Sequence, residues 1–385
     1  MSNTTEAAER RDALVERMAS NAVAAFDLFS VYLGDVLGLY QALADKGPLT
    51  SAELGEAAGI HERYAREWLE QQAASEFLEV DLDGDGPRFR LPAGHDEALL
   101  DVSSLNYVAP MARSVLASVL PVEKLLDAFR NGGGVPYADY GEDMHEAQAA
   151  FTRPLYEHLL GTEWLPAVPE IHQRLEADPP ARVADIACGQ GRSSIAIARA
   201  YPKVGVDGID SDRASIEAAR ENLAGSGVED RVTFHDRDAA DAELAGRYDL
   251  ATIFEALHDM SYPVDVLRAA RNLLADGGLM LIGDERTEDT FTAPASETER
   301  LYYGFSVFHC LPVGMIGEGA AGTGTVIRPD TVKRYAEEAG FSSCEVLPIE
   351  NDFWRFYLLR PEPERSPGCA ASFSTRSIFP APPRM

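Results

Sequence analysis

The sequence predicts an α/β protein: an open, mixed sheet of seven strands closed by an antiparallel hairpin, behind a mainly helical N-terminal domain. Three observations predict it. From Arg182 onwards, short apolar runs alternate with helical stretches, as in a βαβ series. The first run leads into the turn of "VADIACGQGRSSIAIA" (183–198), where small residues let backbone approach a ligand closely. The last two runs, "SCEVLPI" and "FWRFYLLR", are joined only by "ENDF", too short a link for a parallel crossover.

The elements follow in order. "AAFDLFSVYLGDVLGLYQALADKG" has apolar residues at mixed three and four spacing and reads as one long amphipathic helix. In "LTSAELGEAAGI", Thr50 or Ser51 caps a second helix and Gly59 ends it. "HERYAREWLEQQAASEFLEVD" reads as a third helix running into a strand, and "DLDGDGPRFRL" has the Asp-Gly turns of a hairpin. This is the order of a winged helix. Its third helix carries Glu62, Glu67 and Glu70 beside Arg63 and Arg66, and its wing holds Asp81, Asp83 and Asp85. Such a surface repels phosphates, so dimerisation and a lid role are expected rather than DNA binding.

Residues 96–180 read as helices broken by "NGGGVPYADYGED", which puts Tyr137 and Tyr140 on a flexible segment. That segment is either a plain linker or a lid that excludes water. Strands are expected at Arg182–Ala187, Gly205–Ile209, Val232–His235, Leu250–Phe254 and Leu279–Asp284. The expected division is 1–95, 96–180, 181–361 and a Pro-, Ser- and Arg-rich tail at 362–385.

The formal net charge of -29 argues against nucleic-acid partners. No long charge-free apolar run predicts a membrane span, and the polar N-terminus predicts no secretory signal. Four cysteines without CxxC spacing fit a reducing, cytoplasmic setting.

The glycine turn completes neither a dinucleotide fingerprint nor a Walker loop: counted from Gly189 and Gly191, the third glycine position is Ser194. Asp210 ends the second strand 19 residues after Gly191, where an acidic side chain takes both hydroxyls of a ribose. Asp238, after the third strand, suits an exocyclic adenine amine, with the backbone beside Ala239 for a ring nitrogen. Taken singly, Asp210 and Asp238 also read as ordinary turn residues.

As a set, "DIACGQG", "VDGIDSD", "FHDRDAAD", "YDLATIFEALHDM" and "LLADGGLMLIGDE" resemble the class I S-adenosylmethionine-dependent methyltransferases over about residues 180–360. The front half is similar to the winged-helix dimerisation domain of small-molecule O-methyltransferases. The resemblance implies a Rossmann-like seven-stranded sheet, S-adenosyl-L-methionine as cofactor, and a homodimer built through the N-terminal domain. It implies cofactor contacts at Asp185, Ala187, Gly189, Gly191, Asp210, Ser211, Asp238, Ala239 and Phe254, with Ala187 departing from the family's glycine by one methyl.

The implied activity is methyl transfer to an oxygen, or less readily a nitrogen or carbon, of a small, fairly apolar metabolite of secondary metabolism. The alternatives are a ligand-sensing transcriptional regulator that binds the cofactor without turnover and an NAD-dependent oxidoreductase. "FEALHDM" offers Glu255, His258 and Asp259 as catalytic candidates, and His309 is a second candidate base. Tyr302, Tyr303, Phe305, Phe308 and Met315, with Tyr137 and Tyr140, suit an acceptor pocket or ordinary core. The spacing of His309, Cys310, Asp284 and Glu285 does not mark a metal site.

Overall fold

The structure, a computed structural model, describes residues 2–84, 86–237 and 247–362. Asp238, Ala239 and the tail from residue 363 lie outside the described residues.

The N-terminal domain comprises α1 (Ser2–Val36), α2 (Leu39–Lys46), α3 (Ser51–Ala58), α4 (Glu62–Ala74) and the two-stranded wing β1 (Glu79–Asp81) and β2 (Arg88–Arg90). The single long helix expected over 24–47 is in fact two. Gly38 adopts a left-handed conformation (φ 65°) and bends the chain so that Leu39, Tyr40 and Leu43 turn into the core. Thr50 caps α3 in a reciprocal box with Glu53, and Gly59 closes it, as the sequence predicts. The edge of Trp68 meets the Tyr40 ring at 5.2 Å inside this core.

Four further helices link the domains: α5 (His95–Leu99), α6 (Ala109–Val119), α7 (Val122–Asn131) and α8 (Glu142–Leu155). A wide helical continuation, Tyr156–Trp164, and α9 (Pro169–Glu176) lead to the sheet. Polar ties fasten α1 to this layer. Arg113 donates to Asp35 at 2.9 Å, and the Tyr32 hydroxyl donates to Asp143 at 2.8 Å.

The large sheet holds β3 (Arg182–Ile186), β4 (Gly205–Asp210), β5 (Val232–Asp236), β6 (Tyr248–Phe254), β7 (Leu274–Glu285), β8 (Phe341–Val346) and β9 (Trp354–Pro361). Their order is β5-β4-β3-β6-β7-β9-β8, parallel up to β7 and antiparallel across β9 and β8. Every predicted strand is present within a few residues of its expected bounds. The chain runs outward from β3 to β5 and then returns to β6. The switch point therefore falls between β3 and β6, where an open α/β sheet forms its ligand crevice. Ile186 pairs with both Ile209 and Ile253, so three strand ends finish level at that crevice.

Apolar cores cover both sheet faces. On one, the Trp164 ring packs at a tilt against Trp354 and Phe356, with ring separations of 5.2 and 5.0 Å. On the other, α12 (Pro263–Leu273) and α15 (Pro329–Glu338) bury Leu267 and Val332. Each such side chain contributes roughly 1.5–3 kcal/mol of burial. Between β7 and α15 lie α13 (Glu297–Phe305) and α14 (Leu311–Gly314), the insert that roofs the site.

Asp207, on β4, is a polar hub within the sheet. It accepts from Arg182, from Tyr248 Oη at 3.0 Å and from His235 Nε2 at 2.8 Å. Burial opposes its charge, but these donors outweigh burial and hold its pKa below the usual aspartate value. A depressed folded pKa contributes stability above the unfolded value, and that stability is lost as pH falls through the folded one. Asp207→Asn should therefore lower unfolding free energy by about 1–3 kcal/mol at neutral pH, with the deficit shrinking below about pH 4. Urea titrations at pH 7 and pH 3.5 measure both numbers; a deficit independent of pH would refute the charge argument.

Candidate active site

The crevice begins with Asp185. Its Oδ2 accepts from Ser193 and Ser194, each at 2.6 Å, and its Oδ1 from Thr252 at 2.8 Å. Burial raises its pKa despite these donors. Asp185 lines the crevice and, with three hydroxyl donors in place, also ties α10 (Arg192–Ala200) and β6 to the end of β3. Ala187 takes the left-handed conformation at φ 55°. A glycine would hold that conformation without the cost of about 1–2 kcal/mol that a Cβ brings there. Gly191 is required for a different reason, since a Cβ there would lie 2.3 Å from the Phe234 ring. It shapes the turn and does not line the crevice.

Asp210 Oδ2 accepts from Gly189 N at 2.9 Å and Oδ1 from Asp212 N at 2.8 Å. Each oxygen keeps a lone pair, so the carboxylate can take a diol. Burial raises its pKa. Ala187, Gly189, Asp210, Ser211, Phe254 and Asp259 all line one cavity of about 420 Å³. That volume, a turn of exposed backbone and an acidic residue at the second strand end fit an amino-acid-bearing nucleoside.

A second, smaller chamber of about 90 Å³ adjoins the first, and Gln148 and Glu255 line both. Its wall holds His258, whose Nδ1 donates to Asp284 Oδ1 at 2.8 Å and lies 3.2 Å from Glu285 Oε2. Burial would depress the imidazole pKa, but the two carboxylates overcome it and hold it well above the usual histidine range. Burial likewise works against the Asp284 charge, and His258 keeps this carboxyl low. Burial and the Asp284 charge push Glu285 up.

Ligand-type atoms of His258, Asp284 and Glu285 lie within 4.8 Å of one another, a spacing compatible with a metal ion. The His258–Asp284 hydrogen bond already joins two members of that group. His309, also in the chamber wall, is neutral, its pKa lowered to about 3 by burial and then by His258 and His145.

The structure redistributes the expected acceptor residues. Tyr302 and Phe305 line the chamber. Tyr303, Phe308, Met315 and Tyr140 line neither cavity. Tyr303 receives a hydrogen bond from Arg328, and Phe308 is 41% exposed. Met315 sits near Gly322, and the buried Tyr140 donates to the Phe308 carbonyl at 2.8 Å. Tyr137 faces the cofactor cavity, where its hydroxyl donates to Gln148 and its ring stacks on His145 at 4.4 Å.

The glycine-rich segment expected to be flexible is pinned. Val135 N donates to the Pro312 carbonyl at 3.0 Å, and a Cβ at Gly134 would collide with that same oxygen. Sequence reasoning missed Met111 and Ser114 on α6 and Met144, Gln148 and Phe151 on α8. Their helical spacing reads as ordinary core, and only the fold turns them towards Glu255. It also missed Glu285 as a partner of His258, although both stand beside quoted motifs.

Comparison with known proteins agrees with this geometry. Residues 177–340 match a family described as a methyltransferase domain, and residues 24–101 match an Rv2258c-like winged HTH domain. The chain is 34% identical over 104 residues to 27-O-demethylrifamycin SV methyltransferase of Amycolatopsis mediterranei, covering 27% of this chain and 38% of that one. It therefore spans well under two thirds of that relative.

Among solved structures, human N-acetylserotonin methyltransferase in complex with SAM superposes with a TM-score of 0.69. The identity is 17%, with 90% of this chain and 97% of that one covered. Mitomycin 7-O-methyltransferase gives 0.67 at 20% identity, covering 91% and 99%. The chain has the class I fold of S-adenosylmethionine-dependent methyltransferases, with a winged-helix-type N-terminal domain.

Asp210→Ala should weaken binding of S-adenosylhomocysteine by about 10- to 100-fold, the worth of one or two charged hydrogen bonds. Isothermal titration calorimetry reads the change, and unaltered affinity would remove Asp210 from the ribose site.

Proposed function

We propose that the protein transfers the methyl group of S-adenosylmethionine to an oxygen of a small, uncharged, largely apolar metabolite. The observation that carries this reading is the shared wall: Glu255 and Gln148 border both the cofactor cavity and a chamber holding a buried His–Asp pair. The bound cofactor supplies an electrophilic methyl carbon, so alignment, dryness and removal of a proton are left to the protein.

Aromatic and thioether side chains, among them Phe305, Trp354, Met111 and Met144, give the chamber its apolar walls. Neither lysine nor arginine appears in its lining, while Glu255 and Glu285 do. An acceptor bearing a carboxylate or phosphate would meet these acids with no lining cation among the described residues beyond His258, itself already paired with Asp284, which favours an uncharged one. His258 is the proton acceptor in this reading. Asp284 holds Nδ1 and fixes the ring, and the imidazole borders the chamber.

The raised His258 pKa sets the sign of the pH dependence. A base that stays protonated at neutral pH becomes competent as pH rises, so kcat/KM should climb through the alkaline limb. His258→Ala should lower kcat by about 10²- to 10⁴-fold while leaving S-adenosylhomocysteine affinity within about twofold. Asp284→Asn, which removes the raising charge, should shift the rising limb towards lower pH. Rate–pH profiles with a panel of phenols and alcohols test both, and a limb that stays in place in Asp284→Asn argues against His258 as the base.

The partner proposed is a second copy of this chain. Along α1, residues from Thr5 to Phe26 are almost entirely exposed, and the helix presents Leu14, Val15, Met18, Val23 and Phe26 to solvent. An isolated helix of this kind gains its stability from packing its apolar face. On the third helix and wing, Arg63, Arg66, Arg88 and Arg90 each pair with a glutamate, an arrangement that favours a protein partner over DNA. Met18→Asp combined with Phe26→Asp should convert the protein to a monomer in sedimentation velocity at micromolar concentration. An unchanged sedimentation coefficient would place the interface elsewhere.

A further inference from the structure

Glu255 stands at the one wall that the two cavities share besides Gln148. Its backbone is held in the left-handed conformation (φ 53°), with its N–H donating to the Gly283 carbonyl of β7 at 2.8 Å. Among the described residues, only Glu76, Ala187 and Glu255 are non-glycine residues with positive φ, and the last two flank the crevice at the ends of β3 and β6. Strain of this kind persists where surrounding structure imposes it, commonly at ligand sites.

The surroundings of Glu255 are acidic. His258 and Asp259 face it from the following turn and Asp284 from β7; His258 favours its charge, while Asp284 and Asp259 disfavour it. Tyr156, beyond α8, Tyr137, from the glycine-rich segment, and Tyr302, on α13, also feel its carboxyl group. Glu285 and His309 share the chamber wall. The arginines of the cofactor cavity stand apart: Arg192 is bound to Asn222, and Arg237 follows β5, three strands away. Burial, more than these charges, brings the carboxyl to about 8, poised to change state near neutral pH.

We propose that Glu255 reads the charge on the cofactor's sulfur, giving up its proton when the sulfonium donor enters and holding one when the neutral thioether product remains. The inference rests on the reading of the larger cavity as the S-adenosylmethionine site. Proton balance follows. Donor binding releases one proton to solvent. During transfer the acceptor oxygen gains the methyl carbon and loses its proton, while the carbon–sulfur electron pair stays on sulfur. His258 passes a proton to Glu255 as it takes up the acceptor's, so that Glu255 ends protonated, and product departure returns the site to its starting state. Glu255 thereby favours donor over product in the same cavity.

Calorimetry on the full chain tests this with S-adenosylmethionine and S-adenosylhomocysteine, in buffers of different ionisation enthalpy between pH 6 and pH 9. The two ligands share ribose and amino-acid groups, so any contribution of Asp210 cancels in their difference. The expected result is that the donor releases about 0.5–1 more proton than the product near pH 7. The ratio of their affinities should then rise by about tenfold per pH unit over part of the range. Glu255→Gln should bind both ligands with a pH-independent ratio, and Glu255→Asp should keep the dependence.

Equal proton release by the two ligands in the wild-type protein overturns the proposal, and so does a difference that persists in Glu255→Gln. The wild-type measurement decides even if the glutamine variant fails to fold. Binding of neither nucleoside is a different outcome, because it removes the cofactor assignment itself.

Discussion

The site is organised by the buried carboxylate of Asp185. It draws hydroxyls from Ser193 and Ser194 at the start of α10 and from Thr252 on β6. One side chain thus fastens both sides of the switch point. With the helix start and β6 drawn to the same anchor, the turn between them must open its backbone towards the crevice, even though Ala187 is strained by doing so. A buried carboxylate without those donors would be costly, so turn and anchor depend on each other.

A second constraint operates one strand further across the sheet. β6 and β7 end together, and Glu255, just after β6, and Glu285, at the end of β7, line one chamber, with Asp284 bonded to His258 beside it. His258, in the turn after β6, is the cation that makes this concentration of acid tolerable. The same cluster divides the space chemically. The larger cavity has exposed backbone and Asp210, the smaller chamber has aromatic walls and the His258 imidazole, and Glu255 lies on the boundary.

The helical domain contributes through α6 and α8. Met111, Met144 and Phe151 reach the smaller chamber from helices fastened to α1 by Arg113 and Tyr32. The helix with the most exposed apolar surface is therefore joined by polar bonds to helices that shape the chamber. The proposed assembly face and the form of the chamber are in this way mechanically connected.

The sequence by itself determined the strands, their order of appearance and the residues at their ends, because those are local: alternation, turn chemistry and an acidic residue at a strand end are written within a few positions. Thr50 as cap, Gly59 as stop, the antiparallel closing hairpin and Asp210 beside the Gly189 turn were all legible in this way. Tertiary structure alone decided which side chains meet. Nothing near Tyr140 or Phe308 in sequence shows that one is buried under the other's carbonyl, away from the chamber. Nothing near Gln148 shows that a core-like helix turns it to the boundary. Long-range packing fixes such positions, and its record is spread over residues far apart in the chain, so no local pattern carries it.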